Sequence, residues 1–240
     1  MILYIIRHGR PDYKTDTLLP EGIEQAELVG KRLNSVGIDR IFSSPMGRAI
    51  ETAQPLSRMS GLPVGIEEWA TETDETCMTL YPYGYPHNVA RLQPALINTP
   101  RTREIGMKDS FELVDGLNDG GYQRKYEKIA AGIDGLLSRL GYERTEDGFY
   151  DPVSPNGERV ALFCHVGMMR MLLSHLLNVP MQYIASTVMS NFTGVTVLEF
   201  AAEKREDGIP CLPYLLTYGD VGHLHAGGQK VKMYITGTEY

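Results

Sequence analysis

The sequence predicts an α/β fold, a three-layer sandwich in which helices cover both faces of a largely parallel central sheet. Short apolar runs at 2–6 and within 159–164 have the composition of strands buried on both faces, which is the usual central position in a parallel sheet. Segments with helical periodicity follow both runs, as this fold class requires. With 240 residues and 42% hydrophobic content, the chain can bury one substantial core. No Ser/Gly-rich linker divides it, so we expect a single domain over 1–240.

The composition argues against several classes of protein. A formal net charge of −7 disfavours a broad surface for nucleic acid or anionic membranes. The three cysteines, Cys77, Cys164 and Cys211, are too few for a disulfide framework. No apolar run has the length of a membrane span, and the first residues lack the charged start and cleavage site of a secretion signal. We therefore expect a cytoplasmic enzyme, whose oligomeric state the sequence leaves open.

The first third of the chain predicts a strand–helix–strand–helix unit. After the strand at 2–6 and a polar turn at 11–19, Pro20 suits the first turn of a helix that Gly37 ends. A second strand spans 38–44, with Ser44 as N-cap and Pro45 at the first position of the next helix. The positions expected on the buried stripes of the two helices are Ile23, Ala26, Val29 and Leu33, then Ala49, Thr52, Ala53 and Leu56.

An insertion separates this unit from the rest of the chain. Residues 73–125 are rich in Tyr, Pro and Gly and have no sustained periodicity. We expect this insertion to lie over the site as a cap. Cations that could reach a second anionic group of a substrate are Arg91, Arg101, Arg103 and Lys108.

The second half of the chain returns to regular patterns. A helix with apolar positions from Tyr126 to Leu140 is stopped by Gly141, and a hairpin is expected over about 142–153 around the turn 146–148. The remaining expected elements are a strand at 159–164, a helix with buried positions from Met168 to Leu176, and a strand at Thr193–Phe200. The tail from Tyr214 has no regular pattern and is left unassigned.

Basic residues follow three of the predicted strands. Arg7 and His8 end the first strand, Arg48 lies in the first turns of the second helix, and His165 follows the late buried strand. Because the carboxyl ends of parallel strands meet at one edge of a sheet, we expect these side chains to converge. Guanidinium and imidazole donors suit a tetrahedral dianion such as phosphate, and Gly9 lets the backbone come close to it.

These residues resemble a known family. The carriers of the resemblance are Arg7-His8-Gly9, Ser44-Pro-x-x-Arg48-Ala-x-x-Thr52-Ala53, Glu72 and His165-x-Gly167. Together they are similar to the motifs of the histidine phosphatase superfamily, also called phosphoglycerate mutase-like, over roughly 1–75 and 158–200. The resemblance implies that family's sandwich fold and a phosphomonoester hydrolase that acts on a small phosphate ester without cofactor or metal.

The resemblance also implies a role for each residue. His8 would attack phosphorus and form a phosphohistidine that water hydrolyses, while Arg7, Arg48, His165 and Gly9 would bind the phosphate. Glu72 matches the proton donor by its place after the second helix, and His165 belongs with the catalytic residues. Mutases of the family carry Trp-Asn and Phe-x-Gly after the first motif, and this chain has other residues at 10–13 and 17–20. A phosphatase is therefore expected rather than a mutase.

Alternatives to this function remain open. A mutase-type phosphotransferase would use the same nucleophile, and a catalytically silent protein that binds a phosphorylated ligand would keep the same clamp. The proton donor is also open, because Glu67, Glu68 and Glu75 lie close to Glu72 in a charge-rich stretch.

Two other constellations are weaker. Cys164 next to His165 suggests a thiol dyad, but neighbours on a strand point to opposite faces. His223 and His225 could share one face and bind a metal, although only the isolated Asp220 lies near them in sequence.

Overall fold

The computed structural model describes residues 1–73, 121–204, 206 and 210–231. The predicted insertion lies almost entirely outside the described residues, as do Glu75, Cys77 and the four cations between 91 and 108. At the end of this stretch a helix already begins at Gly121. Residues 121–125 of the predicted insertion thus belong to a helix, and the extent of the insertion stays a prediction.

A six-stranded sheet forms the centre of the described structure, and four further short strands form two separate pairs. All described strands, in chain order, are β1 (Ile2–Arg7), β2 (Pro11–Asp12), β3 (Thr17–Leu18), β4 (Arg40–Ser43), β5 (Val64–Ile66), β6 (Glu143–Arg144), β7 (Tyr150–Asp151), β8 (Arg159–Cys164), β9 (Val195–Glu199) and β10 (Tyr214–Asp220). The sheet has the order β10-β9-β1-β8-β4-β5. The strand β9 runs in the opposite direction to the other five. The prediction of a largely parallel sheet is confirmed.

Helices lie on both faces of this sheet. They are α1 (Pro20–Val36), α2 (Gly47–Ser60), α3 (Gly121–Arg139), α4 (Val166–Leu177), α5 (Met181–Thr187) and α6 (Gly222–Ala226). Side chains of β1 alternate between the faces, as the period of a strand requires. Leu3 and Ile5 pack in one apolar cluster with α3, α4 and α5, whereas Ile6 packs in a second cluster with α1 and α2. The predicted three-layer sandwich is therefore observed.

The first helix begins at Pro20 and ends at Gly37 as predicted, but one of its expected core positions is wrong. Ile23 is 52% exposed, while Ala26, Val29 and Leu33 are buried. Ile23 lies at the edge of the buried stripe of α1, seven residues and about two turns before Gly30. There it lines a surface groove together with Pro55 and Arg58 of α2, so its side chain stays partly in solvent.

The start of the second helix also differs from the prediction. The helix begins at Gly47 with Met46 as its N-cap, not at Pro45 with Ser44. The carboxylate of Asp16, from the loop between β2 and β3, accepts the Gly47 N–H at 2.7 Å. A residue distant in sequence thus does the work expected of a local cap.

The sequence pattern of the tail did not predict the edge strand β10. β10 pairs with β9 through a ladder that has two register shifts, so its side chains do not alternate regularly. The short pairs β2–β3 and β6–β7 are antiparallel, and the turn of the second pair contains Gly148 at φ 83°. None of the described helices is both long and apolar enough to cross a membrane.

Helix α3 contains two glycines that allow a matched test of its packing. A Cβ on Gly132 would lie 2.2 Å from Trp69 Cγ, whereas one on Gly135 would have no contact closer than 4.0 Å. Gly132→Ala should therefore lower the free energy of unfolding by about 1–3 kcal/mol through overpacking. Gly135→Ala should raise it by about 0.5–1 kcal/mol through helix propensity. Urea unfolding measures both, and equal shifts would show that Trp69 does not pack closely on α3.

Candidate active site

The strand ends that carry the predicted basic residues lie side by side. β1, β8 and β4 are parallel neighbours, so their carboxyl ends lie at one edge of the sheet. The ring centroids of His8 and His165 are 5.1 Å apart. The positive charges of Arg7 and Arg48 help to lower the pKa of both imidazoles. The structure thus brings all four side chains together, each at most 5% exposed.

His8 is held as a neutral imidazole with one nitrogen free of protons. Burial is the main cause that lowers its pKa well below the ordinary value, and Arg7 and Arg48 add to it. The ring Nδ1 lies 2.7 Å from the Gly9 carbonyl oxygen, which can only accept a hydrogen bond. Nδ1 therefore carries the proton, and Nε2 presents a lone pair.

His165 presents the opposite tautomer. Its Nε2 lies 2.8 Å from Ser44 Oγ, which accepts the Met46 N–H at 3.3 Å. The Ser44 hydroxyl has no other acceptor for its proton among the described residues, so we assign it as the donor to Nε2. Nε2 then accepts, and Nδ1 carries the imidazole proton. This Nδ1 is buried without a hydrogen-bond partner in the part of the chain that the structure describes. Burial lowers the pKa of His165 well below its ordinary value.

The two arginines are held by different groups. Arg7 Nη1 donates to the Ser190 carbonyl at 2.6 Å, and its guanidinium lies 4.2 Å from the centre of the Phe192 ring. Burial lowers the pKa of Arg7 to about 10, so it keeps its charge near neutral pH. Arg48 pairs with the Asp16 carboxylate, and within 1–73, 121–204, 206 and 210–231 its buried Nε has no hydrogen-bond partner.

The Glu72 carboxylate lies at the N-terminus of α4, the helix that begins directly after His165. Its Oε1 accepts the Met168 N–H at 2.9 Å and its Oε2 accepts the Gly167 N–H at 3.3 Å. A helix N-terminus favours a negative charge at this place. A Cβ on Gly167 would lie 2.6 Å from Glu72 Oε1, which explains why glycine stands in the His165-x-Gly167 pattern.

The other carboxylates considered from the sequence are placed differently. Glu67 accepts the Trp69 indole N–H at 2.6 Å and forms an ion pair with Arg139, so it ties the segment after β5 to α3. Glu68 is exposed, and Glu75 lies outside the described residues. Of the described candidates, Glu72 alone joins the helix that follows His165.

Gly9 has a use that the sequence did not indicate. Its N–H donates to Thr52 Oγ1 at 2.9 Å, and a Cβ at this position would lie 2.7 Å from the Gly22 carbonyl oxygen. The glycine therefore permits α1 to approach the end of β1, and its own carbonyl orients the His8 ring. These contacts give Gly9 a positioning role, and its expected contact with phosphate stays a prediction.

The thiol dyad and the metal site find no support. Cys164 is fully buried in the core cluster under α3 and α4, and burial raises the pKa of its thiol. His223 uses both ring nitrogens, Nε2 at 2.9 Å from Thr193 Oγ1 and Nδ1 at 3.3 Å from Arg32 Nη1. Among the described residues, no group of three or more His, Cys, Asp or Glu side chains could hold a metal ion.

Sequence reasoning missed several residues that shape the site. Asp16 accepts from both Gly47 and Arg48, and it stands in a polar loop where nothing marked it. Thr52 was expected as a buried position and as part of the family motif, but without a stated contact; its hydroxyl donates to the Arg48 carbonyl at 2.7 Å while accepting from Gly9. The four-residue spacing between Arg48 and Thr52 was the one available signal.

Comparison with known proteins identifies the family. The sequence matches the family described as "Histidine phosphatase superfamily (branch 1)" over residues 3–79 and 142–206, more than half of the chain. The chain belongs to this superfamily. Arg7, His8, Arg48, Glu72 and His165 all lie within the matched residues.

Individual relatives of this histidine phosphatase superfamily member are distant. A probable phosphoglycerate mutase GpmB from Salmonella arizonae is 24% identical over 193 residues, which cover 74% of this chain and 75% of the relative. Phosphoserine phosphatase from Entamoeba histolytica, solved with 3-phosphoglyceric acid, has a similar structure with a TM-score of 0.60 at 22% identity. The match covers 93% of this chain and 98% of that one. A mycobacterial glucosyl-3-phosphoglycerate phosphatase has a TM-score of 0.54 at 18% identity over 91% and 98% of the two chains. These likenesses show the same fold.

The buried neutral histidines should make stability depend on pH. The pKa values of His8 and His165 are lowered in the folded state, so between pH 6.5 and those lowered values the unfolded chain binds more protons than the folded one. Stability is then present at neutral pH and is lost on acidification, by roughly 1.4 kcal/mol per pH unit for each proton. Urea unfolding from pH 7 to 5 measures the slope. His8→Gln should reduce it by about one proton, and an unchanged slope would contradict a neutral buried His8.

Proposed function

We propose that this chain is a phosphomonoester hydrolase that acts through a phosphohistidine on His8. The observation that carries the proposal is the pairing of a nucleophilic nitrogen with donors that have no acceptor. His8 Nε2 has a free lone pair, while His165 Nδ1 and Arg48 Nε are buried donors without partners among the described residues. Buried donors of this kind favour an anion, and the phosphoryl oxygens of an ester supply acceptors next to an attackable phosphorus.

The first step transfers the phosphoryl group to the protein. The His8 Nε2 lone pair forms the N–P bond, and the bond between phosphorus and the ester oxygen breaks. Arg7, Arg48 and His165 hold the equatorial oxygens, because such transfers depend on positioning and on charge stabilisation. The Gly9 carbonyl keeps the proton on Nδ1 and supports the positive charge that develops on the ring.

Glu72 supplies and recovers the proton in this proposal. An alkoxide is a poor leaving group, so a carboxylic acid donates its proton as the ester bond breaks. In the second step the carboxylate takes a proton from water, whose oxygen attacks the phosphohistidine and releases inorganic phosphate. His8 then returns to its neutral state.

The proposed substrate is a small phosphate ester, and no metal or cofactor is required. The phosphatases with similar structures are named for phosphoserine and glucosyl-3-phosphoglycerate. Their names support a phosphorylated metabolite as the substrate class for this chain. A small ester also fits the net charge of −7, which disfavours long anionic polymers.

A phosphoglycerate mutase-type transferase is the second candidate, because the curated relatives carry that name. The loop after His8 favours hydrolysis instead. Where mutases of the family have Trp-Asn and Phe-x-Gly, this chain has the β2–β3 pair. Arg48 Cζ lies 5.6 Å from the centre of the Tyr13 ring in the loop of this pair. Transfer to a second substrate hydroxyl faster than to water would favour the mutase. Binding of phosphate esters without turnover would identify a silent binding protein.

The phosphohistidine is directly testable. Mixing the protein with p-nitrophenyl phosphate in EDTA and quenching at alkaline pH should leave a phosphate on the peptide that contains His8, because phosphohistidine is stable to base. His8→Ala should lose this label and almost all hydrolysis, a loss of about 10³-fold or more. Mass spectrometry and p-nitrophenolate release provide the two measurements.

The exposed His225 supplies a matched control for this experiment. His225→Ala should label and turn over as the wild type does. Full activity in His8→Ala, a label on another residue, or a strict requirement for an added divalent cation would each contradict the proposed mechanism.

The role of Glu72 predicts a dependence on the leaving group. Glu72→Gln should slow hydrolysis of an alkyl phosphate by roughly 10²- to 10⁴-fold, but should largely spare His8 phosphorylation by p-nitrophenyl phosphate, whose phenolate leaves without a proton. Single-turnover kinetics with both esters measure the difference. Glu68→Gln, at an exposed neighbouring position, should change neither rate. Equal losses on both esters would make Glu72 a structural residue that caps α4.

A further inference from the structure

The main chain of His8 is held from two sides. Its N–H donates to the Cys164 carbonyl at 2.9 Å, a bond to the neighbouring strand end. Its carbonyl accepts the Thr193 N–H at 3.3 Å. The position of the His8 ring therefore depends on Thr193, which precedes β9 and lies outside the sheet ladder.

Thr193 belongs to a segment, residues 190–194, that forms the wall behind Arg7 and His8. Three groups of this segment contact Arg7: the Ser190 carbonyl at 2.6 Å, the Phe192 ring, and the Gly194 carbonyl, which accepts the Arg7 N–H at 3.3 Å. The Phe192 ring also lies 5.7 Å from the His8 ring, centre to centre. A shift of the 190–194 segment would move both residues.

The backbone of Thr193 is in an unfavourable conformation. Its φ is 54°, in the left-handed region that β-branched residues rarely adopt. The side chain is fully buried, so no water can satisfy its hydroxyl. Such a conformation persists only where the surroundings hold it.

A hydrogen bond from His223 of α6 holds Thr193 in this conformation. The Arg32 guanidinium can only donate, so His223 Nδ1, 3.3 Å away, is the acceptor and Nε2 carries the proton. Nε2–H donates to Thr193 Oγ1 at 2.9 Å, and the threonine hydroxyl in turn donates a hydrogen bond to the Phe192 carbonyl oxygen at 2.8 Å. Burial, with Arg32 next, lowers the pKa of His223 to about 4, which keeps this neutral tautomer at working pH.

We propose that His223 is a positioning residue for the nucleophile: it holds Thr193 in its left-handed conformation and thereby fixes the main chain of His8. The inference rests on the proposed role of His8 as phosphoryl acceptor. His223 lies beyond the residues that match the family, so this support comes from the C-terminal part of this chain. It explains why a histidine with two satisfied nitrogens lies buried at the base of the site.

The test measures the first chemical step by itself. Enzyme in saturating excess over p-nitrophenyl phosphate gives a single-turnover rate constant that does not depend on the fraction of folded protein. His223→Ala should lower this constant on the order of tenfold or more, because small misplacements of a nucleophile are costly. The affinity for inorganic phosphate and the number of phosphate sites, measured by calorimetry, should stay at the wild-type values, because the ground-state anion forms no bond to His8.

Conservative variants separate positioning from general stability. His223→Gln places an amide N–H where Nε2–H stood and should restore most of the rate, whereas His223→Asn should not. Thr193→Ser keeps the hydroxyl and should react as the wild type does, and Thr193→Val should be as slow as His223→Ala. The double variant His223→Ala/Thr193→Val should be no slower than either single one, because both remove the same link. His225→Ala, on the same helix but exposed, is the control.

Several outcomes would overturn the inference. A single-turnover rate constant in His223→Ala equal to that of the wild type would do so, as would additive losses in the double variant. Fewer phosphate sites with an unchanged rate constant would reduce His223 to a purely structural residue. If His223→Ala does not fold, the comparison of Thr193→Val with Thr193→Ser still decides. A wild-type protein that never phosphorylates His8 would instead refute the proposed function itself.

Discussion

Positive charge buried at one edge of the sheet is the constraint on which the rest of this structure depends. Arg7, His8, Arg48 and His165 are each at most 5% exposed, and like charges at this distance repel strongly away from water. Burial first, and the neighbouring positive charges next, lower the pKa values of both imidazoles and keep them neutral, whereas Arg7, with a pKa of about 10, keeps its charge. Within the protein, Arg48 forms an ion pair with Asp16, and the Arg7 guanidinium donates to the Ser190 carbonyl. In the proposed function the phosphate ester adds negative charge beside these two cations.

Close backbone approaches bring the parts of the site into contact. A Cβ added at Gly9 would lie 2.7 Å from the Gly22 carbonyl oxygen, and one added at Gly47 would lie 2.4 Å from the Asp16 carbonyl oxygen. One added at Gly167 would lie 2.6 Å from Glu72 Oε1. Each glycine stands where a strand end or a helix N-terminus must approach another segment. Main-chain N–H groups at these places donate to side chains from elsewhere in the sequence. The N-terminus of α2 is thereby joined to Asp16 in the loop between β2 and β3, and that of α4 to Glu72 after β5, while Thr52 joins α2 to the end of β1.

The end of the described chain also returns to the site. β10 completes the edge of the sheet beside β9, and α6 then places His223 against Thr193. The Arg32–Asp220 ion pair joins α1 to the end of β10, next to the Arg32–His223 contact. Residues from the first helix and from the tail thus meet behind His8. In the proposed function this support keeps the end of β1 from shifting, as a nucleophile requires.

The sequence by itself determined the fold class and the placement of the basic residues, because strand composition, helical periodicity and turn residues act over short distances along the chain. It identified β1 and β8 as buried strands and put His8 and His165 at their ends. Only the tertiary structure decided that Ile23 is exposed, that Ser44 serves His165 instead of capping α2, and that the irregular tail contains β10 and α6. It also decided which nitrogen of each imidazole carries the proton. The physical reason is that a buried polar group takes its hydrogen-bond partner from whatever folding brings near, and Asp16, Thr193 and His223 reach their partners from distant positions in the sequence.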